Sequence, residues 1–264
     1  MARVCPLFSG SKGNSYFIGS QTSGILIDVG RSAKQLTEML QRCEIAPASI
    51  RGIFLTHEHI DHVKGLRVFA SKHQIPVFSS FGTLQELEKT GDLQGKFTAE
   101  VIDPKGMACG DLFVKPFATS HDCAESVGFR IHTADDRTIV LATDLGLLTE
   151  EILEEMQGCD FVILESNHDV GMLQNGSYPY SLKKRILSQV GHLSNTVCAD
   201  SLPRLAGSGT TRFLLAHLSE ENNTPELALQ TALCSLTMAG FQQGIDFQLG
   251  IAPRENVTGN PILF

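Results

Sequence analysis

Several features that define whole classes of protein are missing from this sequence of 264 residues. It has no tryptophan, no low-complexity tract and no run of about 18 uncharged apolar residues, the length that a membrane span needs. The first residues carry one basic side chain, Arg3, and reach Gly10 before a long apolar stretch forms, unlike a secretory signal peptide. From these absences we expect a cytoplasmic protein that does not bind a membrane.

Paired cysteines are missing as well. The seven cysteines are an odd number, lie far apart and form no C-x-x-C pair. This pattern favours reduced, mostly buried thiols over a disulfide framework or a structural zinc knuckle.

An excess of basic residues is the third absence. The chain has 21 Lys and Arg against 29 Asp and Glu, a net charge of −8, which argues against nucleic-acid contact over the whole surface. The charge is uneven, however. Residues 171–217 contain five basic residues and one acidic residue, a net charge of +4, which leaves −12 for the remainder. The sequence therefore permits nucleic-acid binding through one basic face.

Apolar runs and turn residues predict alternating strands and helices. Two groups of strands, each joined to helices, indicate the α/β class and an αββα sandwich, with two packed mixed sheets flanked by helices. Nothing marks a boundary, so we expect a single domain over residues 1–264. The predicted strands are 3–8, 15–19, 24–30, 50–56, 76–80, 98–103, 112–119, 126–133, 137–143, 160–166, 212–218 and 247–251, and the predicted helices are 33–43, 62–74, 149–157, 180–188, 195–206 and 225–239.

Metal-ligating residue types are concentrated directly after the strand that ends at Thr56, in the segment H-E-H-I-D-H. Residues two apart in an extended loop point the same way, so His57 and His59 can bind one cation while Asp61 and His62 face a second. Imidazole nitrogens suit zinc or a similar first-row ion, whereas magnesium and calcium sites consist mainly of oxygens. This density of ligands is not typical of an ordinary solvated loop.

Three further potential ligands stand at the ends of later strands: His121, Asp144 and His217. A single histidine in such a position is more often structural. Together with the cluster at residues 57–62, however, these residues indicate a site for two cations. A carboxylate bridges two cations more readily than a neutral imidazole does, so we expect Asp144 to be the bridging ligand.

These residues resemble the five motifs of the metallo-β-lactamase fold superfamily, together with Asp28 in I-L-I-D-V-G. The resemblance implies that His57, His59 and His121 hold one metal, and that Asp61, His62 and His217 hold the second, with Asp144 between them. It implies that Asp28 supports the metal loop without binding metal itself. Two divalent cations, zinc or manganese with iron not excluded, then present hydroxide for hydrolysis of an ester or phosphodiester. We expect loss of His59 or Asp61 to abolish activity.

The segment G-H-L-S-N resembles the histidine loop of the phosphodiesterase and tRNA 3′-processing members of that superfamily. The resemblance implies that His192 is the general acid for the departing oxygen and that Glu165 orients it, which requires a hydrogen bond between the two. A helix-capping loop with an incidental histidine is the alternative.

Longer stretches, among them E-S-N-H-D-V-G-M-L and the opening S-G-S-K-G-N-S, resemble the YycJ/WalJ (VicX) exonuclease group. This resemblance implies 5′-to-3′ exonuclease action on DNA, with RNA kept open as a partner. The distance from Asp144 to His217 is too short for a β-CASP insertion.

The predicted phosphate contacts are Lys12 in a glycine-rich turn, Asn167, His168, Lys183, Lys184 and Arg185. A plain hairpin explains the Lys12 turn equally well, and a solvated face explains the three basic residues of the predicted helix.

Other functions remain consistent with the sequence. The acidic charge and compact size favour a small-molecule hydrolase of cyclic phosphodiesters or of thioesters, in the manner of glyoxalase II. A metal-holding regulatory protein and an iron-dependent oxidoreductase on the same fold are further alternatives. The sequence leaves open the native metal, the strandedness of the nucleic acid and the oligomeric state.

Overall fold

The computed structural model describes residues 2–20 and 22–263 of the chain. Contacts between residues group into two compact units. Unit 1 comprises Met1–Pro116, Cys123–Arg137 and Pro253–Phe264, and unit 2 comprises Phe117–Asp122 and Thr138–Ala252. The expectation of one domain over residues 1–264 stays a prediction.

The described residues form two mixed sheets of seven strands each. This arrangement, with helices beside the strands, confirms the predicted α/β class. The strands are β1 (Arg3–Phe8), β2 (Ser15–Gly19), β3 (Gly24–Ile27), β4 (Ile50–Phe54), β5 (Val77–Ser79), β6 (Ala99–Val101), β7 (Met107–Cys109), β8 (Leu112–Ala118), β9 (Val127–His132), β10 (Thr138–Ala142), β11 (Phe161–Glu165), β12 (Arg212–Ala216), β13 (Gln248–Ile251) and β14 (Ile262–Leu263).

Most helices begin at a serine, threonine or aspartate whose side chain accepts a hydrogen bond from the first turn, as at Ser32, Ser80 and Thr149. The helices are α1 (Ala33–Arg42), α2 (Ile60–Val63), α3 (Leu66–His73), α4 (Phe81–Thr90), α5 (Glu150–Met156), α6 (Val170–Asn175), α7 (Tyr180–Ile186), α8 (Asn195–Gly207) and α9 (Pro225–Met238), with a 3-10 helix at Pro47–Ser49.

Unit 1 contains one complete sheet, in the order β14-β1-β2-β3-β4-β5-β6. Pairing is antiparallel from β14 to β3 and parallel from β3 to β6. Strands β1, β2 and β3 are buried on both faces, as expected for continuous apolar segments. Their side chains pack with the apolar face of α1, which presents Leu36, Met39 and Leu40. The loop after β4 therefore starts from a rigid support.

Unit 2 is built on four parallel strands, in the order β10-β11-β12-β13. The apolar sequences of β10, β11 and β12 are buried, and alternate residues such as Val140, Val162 and Phe213 pack in one cluster with α5, α8 and α9. The register pairs Ala142 with Leu164 and Glu165 with Ala216. Residues that follow the carboxyl ends of these strands consequently lie along one edge of the sheet.

The helix predicted over residues 62–74 is two helices, α2 and α3, that meet at Gly65. A Cβ atom on Gly65 would lie 2.3 Å from the carbonyl oxygen of Arg31, so this close approach requires glycine. Helix α4, capped by Ser80, was not predicted. Among the helices of the described residues, none combines the length and apolar character that crossing a membrane would require.

Candidate metal centre and catalytic residues

The histidine-rich loop of unit 1 runs from the end of β4 into α2. The ring centroids of His57 and His59 are 4.6 Å apart, and those of His57 and His62 are 4.1 Å apart. An Asp61 carboxylate oxygen lies 3.7 Å from Nε2 of His62. The loop therefore brings three imidazoles and one carboxylate together, which is a donor set suited to zinc or another first-row divalent ion.

Asp28 supports this loop from a fully buried position after β3, with a positive φ of 60°. Its carboxylate accepts hydrogen bonds from Nδ1 of His62 at 2.8 Å and from the backbone N–H and hydroxyl of Thr56, each at 2.9 Å. Burial raises the pKa of Asp28, while the charge of His62 and these hydrogen bonds act in the opposite direction. Because His62 donates from Nδ1, its Nε2 carries the lone pair through which the ring would bind a metal in place of its contact with the Asn14 amide.

Asn14 also supports the loop, and the sequence did not indicate this role. Its buried side-chain amide lies 3.0 Å from Nε2 of His62, and its backbone N–H donates to the carbonyl of Asp61 at 2.8 Å. The N–H of Gly10 donates to the Asn14 side chain, and the N–H of Gly13 donates to the carbonyl of Gly10. These N–H groups are thus used within the turn, which favours the hairpin interpretation over an anion site beside Lys12. In the sequence, the only sign of this role of Asn14 is its position between Gly13 and an apolar strand.

Unit 2 places four potential ligands at the edge of its parallel strands. Asp144 follows β10, Glu165 ends β11, His217 follows β12, and His192 lies in the loop before α8. One ligand atom from each of the four lies within 4.8 Å of the others. Asp144 and His217 both have positive φ, 57° and 54° respectively.

Glu165 is the centre of this group and is completely buried. Its Oε1 atom accepts hydrogen bonds from Nδ1 of His192 and Nδ1 of His217, each at 2.8 Å. Its Oε2 atom accepts from the backbone N–H groups of Leu145 and Leu193, at 3.0 and 3.1 Å. Burial alone would raise the pKa of Glu165, but the two histidines outweigh it and lower the pKa to about 2. Glu165 is therefore an anion that fixes the tautomer of both rings.

The hydrogen bond between Glu165 and His192 is the one that the sequence analysis requires if Glu165 orients His192. The second contact of Glu165, with His217, was not expected. Nδ1 of His217 also lies 3.1 Å from an Asp144 oxygen, so one ring joins the two carboxylates. The Nε2 atom of each histidine points away from Glu165 and is the nitrogen left for a metal or a substrate proton.

His121, the remaining predicted ligand of unit 2, is buried in the loop three residues after β8. Its Nδ1 lies 3.1 Å from the carbonyl of Gly191, which leaves Nε2 as the nitrogen for a metal. Burial lowers the pKa of His121, so the ring is neutral at pH 7, the form that ligates metals.

Other predicted phosphate contacts have protein partners. Lys183 donates to the carbonyls of Gln174 and Gly176, and Arg185 pairs with Asp122. Lys184 is exposed on the same helix.

Asn167 and His168 are both buried. Asn167 donates to the carbonyl of His217 at 2.9 Å and thereby fixes the loop after β12. Neither ring nitrogen of His168 has a hydrogen-bond partner within residues 2–20 and 22–263. Because both side chains are buried, their positions do not support a direct contact with a substrate phosphate.

A model of the Beta-lactamase superfamily domain matches residues 24–218. The chain belongs to this superfamily. It is 36% identical to Exodeoxyribonuclease WalJ of Streptococcus pneumoniae, over 92% of this chain and 91% of that protein. It is 37% identical to Exodeoxyribonuclease YycJ of Bacillus anthracis, over 92% of each chain. These two relatives confirm the resemblance to the YycJ/WalJ group.

The fold also matches that of the metallo-beta-lactamase fold protein YhfI from Bacillus subtilis, with a TM-score of 0.74 and 16% identity. The match covers 97% of this chain and 98% of that one. This likeness confirms the metallo-β-lactamase fold.

Proposed function

We propose that the chain is a metal-dependent phosphodiesterase that degrades DNA from the 5′ end toward the 3′ end. The observation that carries this proposal is the pair of Glu165 and His192, a buried anion bonded to a histidine beside two metal-ligand candidates. The thiolate of a thioester departs without prior protonation, whereas a departing phosphodiester oxygen is far more basic and needs a proton donor. The two relatives named exodeoxyribonucleases support nucleic acid, and DNA in particular, as the substrate.

The centre in this proposal contains two divalent cations, zinc or manganese, with iron still open. His57, His59 and His121 hold one cation, and Asp61, His62 and His217 hold the other. Asp144 is the shared ligand. When bound, such cations lower the pKa of water and offset the negative charge of phosphate oxygens. The imidazole and carboxylate donors described above fit ions of this type.

His192 acts as the general acid. Its Nδ1–H is held by Glu165, so the imidazole has a fixed orientation and presents Nε2 to the substrate. The buried, ionised carboxylate of Glu165 accepts the Nδ1–H, and the opposite ring nitrogen is the atom that delivers the proton to the departing oxygen. The side chain of His192 is 15% exposed, whereas that of Glu165 is fully buried, so of the pair only His192 meets the substrate.

The test is a comparison of substrates with the metal-loaded enzyme. Duplex DNA labelled at the 5′ end and the same duplex labelled at the 3′ end are incubated in parallel with a thioester and a cyclic nucleotide. We expect early release of labelled mononucleotide from the 5′-labelled strand. The 3′-labelled strand should give a ladder of shortening products. Turnover of the thioester or the cyclic nucleotide without any effect on DNA would refute the proposal.

A further inference from the structure

Helix α7 presents an exposed face that the proposed chemistry does not use. Tyr180, Lys184 and Leu187 are spaced four and three residues apart, so they lie on one side of the helix. Tyr180 is 81% exposed and Leu187 is 45% exposed, and Lys184 is exposed between them. An aromatic ring, an ammonium group and an aliphatic side chain thus form one surface, which we call the Tyr180 face. Tyr180 is one of only three tyrosines in the chain.

The neighbouring basic residues hold the helix in place. Lys183 donates to the carbonyls of Gln174 and Gly176, at 2.8 and 2.7 Å, and thereby closes the turn between α6 and α7. Arg185 forms a two-point pair with Asp122, the residue after His121. Of the three consecutive basic residues, Lys183 and Arg185 are therefore bonded to other parts of the protein, and Lys184 is exposed beside them.

The same helix is joined to the loop of the proposed general acid. The backbone N–H of His192 donates to the carbonyl of Ile186 at 3.0 Å. A Cβ atom on Gly191 would lie 2.2 Å from that carbonyl oxygen, so the loop packs directly against the end of the helix. Seven helical residues rise about 10 Å, which sets the distance along α7 between Tyr180 and the end that contacts His192. A strand whose end reaches His192 can therefore continue along the Tyr180 face.

We propose that the Tyr180 face binds the single-stranded end of the nucleic acid substrate, with one base stacked on Tyr180 and a backbone phosphate beside Lys184. This inference rests on the proposed function and extends it to the form of the substrate. Aromatic stacking with a nearby cation is how proteins hold single strands without reading their sequence. Charge favours the same occupant through Lys184, because Arg185 and Arg204 of the +4 segment pair with Asp122 and Glu150.

The absence of tryptophan provides a direct probe of this inference. Tyr180→Trp introduces the single tryptophan of the metal-loaded enzyme. Its fluorescence is titrated with an oligothymidylate that has hydrolysis-resistant phosphorothioate linkages, and with the same backbone lacking bases. Stacking predicts quenching by the base-bearing strand and little quenching by the abasic strand. Equal signals from the two strands would overturn the inference.

Affinity measured by fluorescence anisotropy gives an independent readout. Tyr180→Ala should raise the Kd for the base-bearing strand by about 5-fold or more, whereas Tyr180→Phe should retain the affinity of the parent enzyme. Lys184→Ala should reduce the slope of log affinity against log salt by about 0.7. Phe81→Ala is the matched control, because Phe81 is an exposed aromatic residue at the start of α4 in unit 1. An unchanged Kd for Tyr180→Ala would overturn the inference.

The two proposals can fail separately. If the parent enzyme degrades DNA and Tyr180→Ala binds it with unchanged affinity, the Tyr180 face is refuted while the nuclease function stands. If base-dependent quenching occurs but no nucleic acid is hydrolysed, the face is supported as a binding site while the nuclease function is refuted.

Discussion

Glu165 and His192 share a hydrogen bond of 2.8 Å between Oε1 and Nδ1, although 27 residues separate them in the chain. Because the carboxylate is buried and ionised, it fixes which imidazole nitrogen carries the inner proton. The same oxygen accepts from His217. One anion thus controls both a proposed proton donor and a proposed metal ligand, and substitutions at the three residues should have different effects.

His192→Ala should lower kcat by about 100-fold or more, because the departing oxygen loses its proton donor. Metal content should be unchanged, since His192 is not among the proposed ligands. Steady-state kinetics combined with elemental analysis of the purified variant tests both statements. His132→Ala, which removes an exposed histidine of β9, is the control. Loss of metal from the His192 variant would contradict the general-acid role.

Glu165→Gln should reduce both turnover and metal affinity. The amide cannot satisfy its four donors, because either orientation directs the NH2 group at two of them, the histidines or the N–H groups of Leu145 and Leu193. Each such buried mismatch costs about 1 to 3 kcal/mol. Chelator competition and kinetics measured on one preparation give the two values. A fall in kcat at unchanged metal affinity would show that the bond to His217 has no functional effect.

Asp28→Asn should weaken metal binding by about 10- to 100-fold without removing a ligand. In either orientation the Asn NH2 group would meet a donor, the backbone N–H of Thr56 or Nδ1 of His62, so the support of the metal loop is weakened. Competition with a chromogenic chelator measures the affinity. Asp200→Asn, on the exposed side of α8, is the matched control and should bind metal as the parent does. Equal affinities for the two variants would disprove the supporting role of Asp28.

His168 should contribute to the pH dependence of stability. Burial lowers its pKa from 6.5 to about 4, so the unfolded chain binds a proton at a pH where the folded chain does not. This contribution is complete above pH 6.5 and is lost as the pH falls toward 4. The free energy of unfolding should therefore fall between pH 7.5 and pH 5 in the parent. In His168→Gln this fall should be smaller by about 2 kcal/mol. Urea titrations at the two pH values give this difference, and an equal fall in both proteins would contradict it.

Much of this fold was predictable because apolar runs such as those of β10 and β11 determine strands locally. Gly65 was harder to interpret. Its role comes from the carbonyl of Arg31, which approaches from another segment, and no periodicity within residues 62–74 reports that contact. The continuous helix predicted there was accordingly wrong near its start, where Lys64 and Gly65 separate α2 from α3.

In the candidate site, too, local patterns were predictable and contacts between distant segments were not. Dense ligand spacing revealed His57 to His62, and a strand-end pattern suggested Asp144 and His217. By contrast, the bond of Glu165 to His217 joins residues 52 apart, and that of Asn14 to His62 joins residues 48 apart. Long-range hydrogen bonds of this kind depend on the register of strands and loops, which a single sequence does not specify.

The left-handed backbone at Asp28, Asp144 and His217 has a further consequence. A non-glycine residue in this conformation costs about 1 to 3 kcal/mol, and here it recurs at three strand ends that carry functional side chains. Glycine at position 144 would relieve this backbone strain while removing the carboxylate that we propose as the shared ligand. Selection for thermal stability alone would therefore favour loss of the proposed site residues, and an engineered stabilisation of this enzyme should leave these three positions unchanged.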